Sequence, residues 1–244
     1  MHKSEYKKIY LLEDKHWWYR TLHELVESFI NKNIEGKRLH IFDAGCGTGR
    51  MMELLNKYGE VDGIDYSEDS VRFSKKRGLK NVKVEDLNTW NTKEKQYDVI
   101  VCLDVIYHSG IKDDIEIIRK FYSALNNNGI LILNNPAFNI LRRSHDYVVH
   151  TKRRYRKSRT IKKINDIGFN IKIATYRLPY LFFIILIKKL LNKFFTNKME
   201  SDLVSLPYWF NKLLLSINRF ENKLILLKIN IPFGSSLFIV AKKN

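Results

Sequence analysis

Short apolar runs alternate with amphipathic stretches along the first two thirds of the chain, and that order predicts alternating strands and helices. Residues 39–44 are a run ending at a glycine loop, and 49–58 then place Met51, Met52, Leu54 and Leu55 at helical spacing. Residues 61–65 read as a second strand. Ser67 follows as an N-cap, for a helix carrying Val71 and Phe73 that stops at Gly78. Val82 and Val84 alternate in a third strand over 81–86, and 97–103 is nearly unbroken apolar sequence, as in a strand covered on both faces. A helix over 113–125, ended by the Asn126 to Gly129 run, leads to a fifth strand at 130–133. The pattern resumes with a helix over 157–167, closed by Gly168, and with strands over 169–176 and 236–241.

This alternation implies a parallel, right-handedly wound sheet whose ligands sit at the carboxyl ends of its strands. The expected fold is α/β: seven mostly parallel strands, helices on both faces and a C-terminal helical insertion. The division expected is a helical cap over 1–38, a sheet domain over 39–177 and 234–244, and the insertion over 178–233. Within the insertion, residues 178–187 form ten uncharged positions followed by Lys188 and Lys189, with Phe194 and Phe195 beyond. Ten residues make a helix of about 15 Å, half of a ~30 Å hydrocarbon core, too short to span it. From Phe210 to Lys228, apolar residues recur at i, i+3, i+4 and i+7 as in an amphipathic helix. Two such helices fit a membrane interface, a cover over a lipid substrate, a dimer seam, or a cap over each other and the sheet.

Charge divides the chain unevenly. The net charge is +17 over 244 residues, yet residues 1–139 hold 21 Lys/Arg and 21 Asp/Glu, whereas residues 140–244 hold 22 and 5. A general lysine bias would not leave the first part neutral, so the basic part is expected to attract an anionic partner: a phosphate-bearing substrate or an anionic lipid surface. Nucleic acid is disfavoured, because the basic residues are interleaved with large aliphatics rather than stacking aromatics. The only cysteines, Cys46 and Cys102, lie in apolar runs; they exclude a disulfide framework and fit a reducing cytoplasm. The charged N-terminal residues predict no secretory signal.

The loop is Asp43-Ala-Gly45-Cys46-Gly47-Thr-Gly49-Arg50. A dinucleotide fingerprint starting at Gly45 needs its third glycine at position 50, where Arg50 stands; the third glycine is at 49. This G-x-G-x-G loop after an acidic residue resembles motif I of class I S-adenosylmethionine-dependent methyltransferases, whose Rossmann-like fold it implies. The likeness runs strongly over residues 39–134. It implies S-adenosylmethionine as cofactor, with Gly45, Cys46, Gly47 and Gly49 in its loop and Asp43 near its amino-acid portion. Asp65, with Tyr66 beside it, would accept the ribose hydroxyls. Glu85, Asp86 and Leu87 would meet the adenine, and Cys102 to Asp104 would line the cofactor. Such carboxylates suit a cationic sulfonium without a pyrophosphate.

On the acceptor side, methyl transfer needs alignment, exclusion of water and, for a protonated nucleophile, a base. His108 after the fourth strand is a candidate. Ser144-His145-Asp146, His150 and Arg153-Arg154-Tyr155 form a dense segment after the fifth. Together with His16-Trp17-Trp18-Tyr19-Arg20, that segment resembles a group of bacterial methyltransferases linked to cell-surface glycan or lipid pathways. The expected catalytic residues are therefore His108, His145 and His150. The expected substrate-binding residues are Trp17, Tyr19, Arg20, Asp146, Arg153, Arg154 and Tyr155, the last four in a lid where the arginines grip a phosphate or carboxylate. No metal is expected, since two histidines and one aspartate lack a fourth ligand. The reading is O-methylation of a small-molecule, glycan or lipid-linked acceptor in the cytoplasm, leaving open contact with the inner membrane face and a homodimer. An RNA methyltransferase and a catalytically silent membrane scaffold are its rivals.

Overall fold

The structure, a computed structural model, describes residues 3–34, 38–92, 95–191 and 206–244. Two helices come first, α1 (Lys3–Leu12) and α2 (Trp17–Asn33). Five strands and three helices follow: β1 (Leu39–Ala44), α3 (Arg50–Leu55), β2 (Gly59–Asp65), α4 (Glu68–Lys76), β3 (Val82–Val84), β4 (Tyr97–Leu103), α5 (Asp114–Ala124) and β5 (Leu125–Pro136). The chain continues through α6 (Ser144–Val148), α7 (Lys157–Ile167), β6 (Phe169–Arg177), α8 (Pro179–Leu191), α9 (Tyr208–Leu226) and β7 (Ser236–Lys243). The expected Phe194 and Phe195 fall outside the described residues.

The seven strands form one sheet in the order β3-β2-β1-β4-β5-β7-β6. Six run the same way. The last in sequence, β7, arrives after α8 and α9 and inserts antiparallel between β5 and β6, leaving β6 and β3 as the edges of the sheet.

Side-chain alternation distributes the core over both faces. Phe42, Ile100, Cys102, Leu131, Leu133 and Ile239 face α5 and α7, meeting Ile118, Phe121 and Ile164. Ile41, Val99, Val101, Ile132, Phe238 and Val240 face the other way, against Leu25, Val26 and Phe29 of α2, Met52 and Leu55 of α3 and Ile225 of α9. Phe42 is 1 % exposed and stacks on Trp90 at 4.4 Å and Tyr97 at 5.0 Å.

Capping follows the sequence. The Asp113 carboxylate accepts the N–H groups of Ile115 and Glu116 at the start of α5, the Ser67 hydroxyl accepts from Ser70 N–H at the start of α4, and Gly168 ends α7 at φ 115°. The Asn126 to Gly129 run behaves differently from the expected helix stop. It lies inside β5, which starts at Leu125; Asn128 takes φ 66°, and the register against β4 shifts between Tyr97 and Val99. The run is thus a bulge in a twelve-residue strand. The α3 helix also stops three residues before the predicted Tyr58, where the backbone turns into β2.

The C-terminal helices pack on the N-terminal one. The Asn211 side chain accepts Trp17 N–H at 2.9 Å and donates to Lys15 O, Asn222 donates to Thr21 O at 2.7 Å, and Arg219 forks onto Glu24 at 2.8 and 2.7 Å. The start and end of the chain therefore share one wall above the strand tips.

Replacing Phe42 by Ala removes the ring at the centre of the Trp90 and Tyr97 stack. It should lower the unfolding free energy by about 3–5 kcal/mol, read from urea denaturation followed by tryptophan fluorescence; a loss below about 1 kcal/mol would mean that this stack does not hold the core.

Candidate functional site

At the carboxyl end of β1 the chain leaves the sheet through Gly45, Gly47 and Gly49, at φ 81°, 56° and 87°. The first and third are structurally obligatory. A Cβ on Gly45 would lie 2.4 Å from Val105 Cγ2, and one on Gly49 would lie 2.5 Å from Leu79 Cδ1 and 2.8 Å from Ser74 Oγ. Gly47 is different: a Cβ there would meet nothing within 4 Å, because this residue faces the crevice.

Asp65, the last residue of β2, holds the loop in place. Its Oδ2 accepts Gly47 N–H at 3.0 Å and its Oδ1 accepts Ser67 N–H at 2.8 Å. Burial raises its carboxyl above the ordinary value despite these bonds. Asp43 sits deeper. Burial first, then the charges of Asp65 and Glu13, push it up to about 8, and its Oδ2 is buried without a hydrogen-bond partner. A buried carboxylate so placed calls for a cation beside it. Beyond β4, Asp104 adopts φ 58°, accepts Asn134 Nδ2 at 2.9 Å and is pushed by burial to about 7.

After β3, Asp86 Oδ1 accepts both N–H and Nδ2 of Asn88, and Asn88 reaches Gly110 O and Lys112 N–H. This links the third strand end to the loop after the fourth. Lys120 supports that segment from below through the carbonyls of Leu87, Asn88 and Trp90.

These groups open on one cavity of about 1710 Å³, larger than a single small-molecule site requires and large enough for a nucleoside together with an acceptor. Its floor includes Asp43, Gly45, Cys46, Gly47, Asp65, Glu85, Asp86, Leu87 and Asp104, with Tyr66 exposed at the mouth. Its far arm runs between α8 and α9, lined by Leu181, Ile184, Phe210, Leu213 and Ile217.

Helix α1 closes the near side, a contribution the sequence reading missed. Glu5, Tyr6, Ile9 and Glu13 all face the cavity. The Thr48 hydroxyl donates to the Glu13 carboxylate, and Arg77 donates to Glu13 at 2.9 Å, Asp14 at 3.1 Å and Glu53 at 3.0 Å. The signal available was the helical spacing of those four residues, which reads equally as an ordinary packing face.

Several expected site residues stand elsewhere. Cys102 is fully buried in the core, because alternation in β4 turns it to the α5 face while Leu103 and Asp104 reach the cavity. Gly49 caps α3 rather than lining the crevice. Arg20 bonds to Glu24 on the outer face of α2. Arg153 directs its guanidinium to the Ile111 and Lys112 carbonyls at 3.0 and 2.7 Å, and Tyr155 is buried with its hydroxyl on Asp114 at 3.0 Å. Arg154 forks onto Asp146 at 2.8 and 2.9 Å and also donates to Ala137 O. Arg153 and Arg154 thus fasten the 142–155 segment to the strand ends, and of the two Arg154 also lines the cavity. The cations lining the cavity are Lys112, Arg142, Arg143, Arg154, Lys188 and Lys189.

Trp17 and Tyr19 line the cavity, as do His108 and His150; Trp17 also anchors a small core with Leu178 and Leu215. Burial lowers His108 to about 4, outweighing the backbone hydrogen bonds at Val149 and Asp104, so the imidazole is neutral at pH 7. His150 is exposed at φ 53°. The backbone of His145 lies in α6; its side chain falls outside the described residues.

The fold is that of the class I S-adenosylmethionine-dependent methyltransferases. Residues 42–131 match the family described as a methyltransferase domain. The chain is similar to the ubiquinone biosynthesis O-methyltransferase of Coxiella burnetii, 27 % identical over 140 residues that cover 49 % of this chain and 60 % of that protein; it thus spans less than two thirds of the length of that curated relative. Among solved structures, an S-adenosylmethionine-dependent methyltransferase from Mesorhizobium loti superposes with a TM-score of 0.61 at 14 % identity, over 95 % of this chain and 100 % of that one. The magnesium protoporphyrin IX methyltransferase of Synechocystis with bound S-adenosylmethionine gives 0.55 at 16 % identity, over 91 % and 78 %.

A cofactor that places its positive charge beside Asp43 would bind with proton release. A cation bound beside Asp43 stabilises its carboxylate and draws its pKa down from about 8, so binding at pH 7 expels a proton and affinity rises between pH 6 and 8. Calorimetry with S-adenosylmethionine in two buffers of different ionisation enthalpy should show proton release that Asp43→Asn diminishes. Equal heats in both buffers would contradict the assignment.

Proposed function

We propose that this protein transfers a methyl group from S-adenosylmethionine to an oxygen of a small acceptor that carries an apolar arm and an anionic group. The observation behind this reading is the single cavity that joins the glycine loop to the apolar channel between α8 and α9. Its cationic lining, with Lys112, Arg143 and Lys188, suits an anionic substituent. The O-methyltransferase name of the Coxiella relative supports oxygen as nucleophile.

Bound cofactor supplies an activated methyl group, and the protein's part is binding, alignment and the acceptor's proton. Asp65, which keeps Gly47 and Ser67 in register, would hold the ribose hydroxyls, Asp86 with Leu87 would hold the adenine, and Asp43 would hold the cationic amino-acid end. Gly47 lets the ligand touch backbone. Tyr19 and Trp17 wall the acceptor. His108, which lines the cavity with a neutral imidazole at pH 7, would be the group that takes the proton released by the acceptor hydroxyl. His145 and His150 lie on the segment that covers the acceptor, the one Asp146 and Arg154 fasten. Work at the cytoplasmic face of a membrane fits this acceptor class.

Calorimetric titration with S-adenosylhomocysteine tests the reading first. The wild type should bind, and Asp65→Ala should weaken binding at least tenfold, about 1.5–3 kcal/mol for hydrogen bonds to a charged group. Gly47→Val, which fills the open space at the loop, should abolish binding while thermal unfolding stays cooperative. Incubation of labelled cofactor with lipid, glycan and RNA fractions should then label a lipid or small-molecule fraction. Folded wild type that binds no S-adenosylhomocysteine, or that labels RNA alone, would overturn the reading.

A further inference from the structure

Helices α8 and α9 leave an apolar face uncovered. On α8, Phe183, Ile184, Ile187, Leu190 and Leu191 are exposed at spacings of one, four, seven and eight residues, so they share one side of the helix. On α9, Trp209, Phe210, Leu213, Ile217 and Phe220 repeat the arrangement, with Trp209 68 % and Phe220 63 % exposed. Isolated exposed apolar residues are ordinary, but ten on two adjoining helices are not.

Three further observations identify what covers this face. Among the described residues of the two helices the exposed, unpaired charge has one sign: Lys188, Lys189, Lys212, Lys223 and Lys228 are exposed on or beside them, α8 has no acidic residue, and the acid within α9, Glu221, is buried on Leu178 N–H. The face also contains the cavity mouth, since Ile184, Phe210, Leu213 and Ile217 are both exposed and cavity-lining. Finally, no helix among the described residues is long and apolar enough to cross a membrane, and α8, at 13 residues, measures about 20 Å. A short apolar face edged with lysines, with no exposed acid on α8 or α9 among the described residues, suits the headgroup and acyl boundary of an anionic bilayer. A second copy of the chain would set the lysines of both copies against one another across the contact.

We propose that the α8 and α9 face docks on an anionic lipid bilayer, seating Phe183, Ile187, Leu191 and Trp209 among the acyl chains and the lysines among the phosphates, with the cavity opening toward the lipid. Docking stands apart from the methyl-transfer reading, because it requires neither cofactor nor turnover.

The test is flotation of the purified full chain with phosphatidylglycerol/phosphatidylcholine vesicles and with phosphatidylcholine alone. The protein should float with the anionic vesicles and stay below with the neutral ones, and binding should weaken as salt rises. Ile187→Glu with Leu191→Glu, and separately Trp209→Ala, alter exposed positions outside the cavity lining and should reduce flotation by tenfold or more. Lys212→Gln should reduce it about fivefold. S-adenosylhomocysteine binding, measured on every variant, should stay at the wild-type value, which separates loss of docking from loss of fold or of the cofactor site. Absence of flotation with anionic vesicles, or equal flotation of wild type and the double glutamate variant, overturns the proposal. So does a vesicle-free dimer in light scattering that Ile187→Glu dissociates, for then a second copy occupies the face.

Discussion

A carboxylate that accepts a backbone N–H across two strand ends is the constraint on which the site depends. Gly47 must take a left-handed conformation for the loop after β1 to turn above the sheet, and the N–H it thereby exposes is received by Asp65 from β2. The parallel register of β1 and β2, with Ala44 opposite Ile64, brings the two within reach, and the N–H groups of Gly45 and Cys46 both donate to Ile64 O at 2.9 Å. Packing of the strands thus determines the loop, the loop determines the floor of the cavity, and the floor gathers Asp43, Asp65 and Asp104 where burial raises each of them. Holding three buried carboxyls together is costly when they are charged, most of all at Asp43, whose Oδ2 has no hydrogen-bond partner. It becomes favourable when a cation enters, and in that sense the fold stores its preference for a positively charged ligand.

The two ends of the chain complete the enclosure. The turn after helix α1 is fastened to the loop through Glu13, Thr48 and Arg77, and α9 is fastened to α2 through Asn211, Asn222 and Arg219. Arg77 and Glu13 are both nearly inaccessible to solvent, so neither could lose its partner without leaving a buried charge. The near wall is therefore ionic and specific, and it covers the part that matches known methyltransferases. The far wall, made by α8 and α9, is apolar. That contrast fits a polar cofactor at one end and a greasier acceptor at the other.

Much of this was legible in the residues. Alternation gave the strands 39–44 and 97–103 at their observed bounds, since a strand covered on both faces leaves an unbroken apolar run. Glycine spacing separated the loop from a dinucleotide site, because Arg50 occupies the position a third glycine would need. Residues whose role depends on distant partners were not legible. Arg153 and Arg154 read as ligand-gripping cations, yet folding brings Asp146 and the carbonyls after β4 within their reach, and nothing local announces those partners. Cys102 is one residue from the cavity and on the wrong side of its strand. The Asn126 to Gly129 run carries the composition of a turn, but strand pairing with β4 on one side and β7 on the other draws it into β5 as a bulge.

The uneven charge gains a location from the fold. Part of the basic excess lies on α8 and α9, beside an apolar face and around the mouth of the cavity, while other basic residues, such as Arg153 and Arg154, are consumed internally. The account rests on a sulfonium nucleoside lying across the strand tips beneath α1. Hydrogen–deuterium exchange with and without S-adenosylmethionine tests this most directly. Slowed exchange in residues 43–49, 65–67 and 5–14, with 169–177 unchanged, is the predicted pattern. Unaltered exchange in the loop and in α1 at saturating ligand would contradict it.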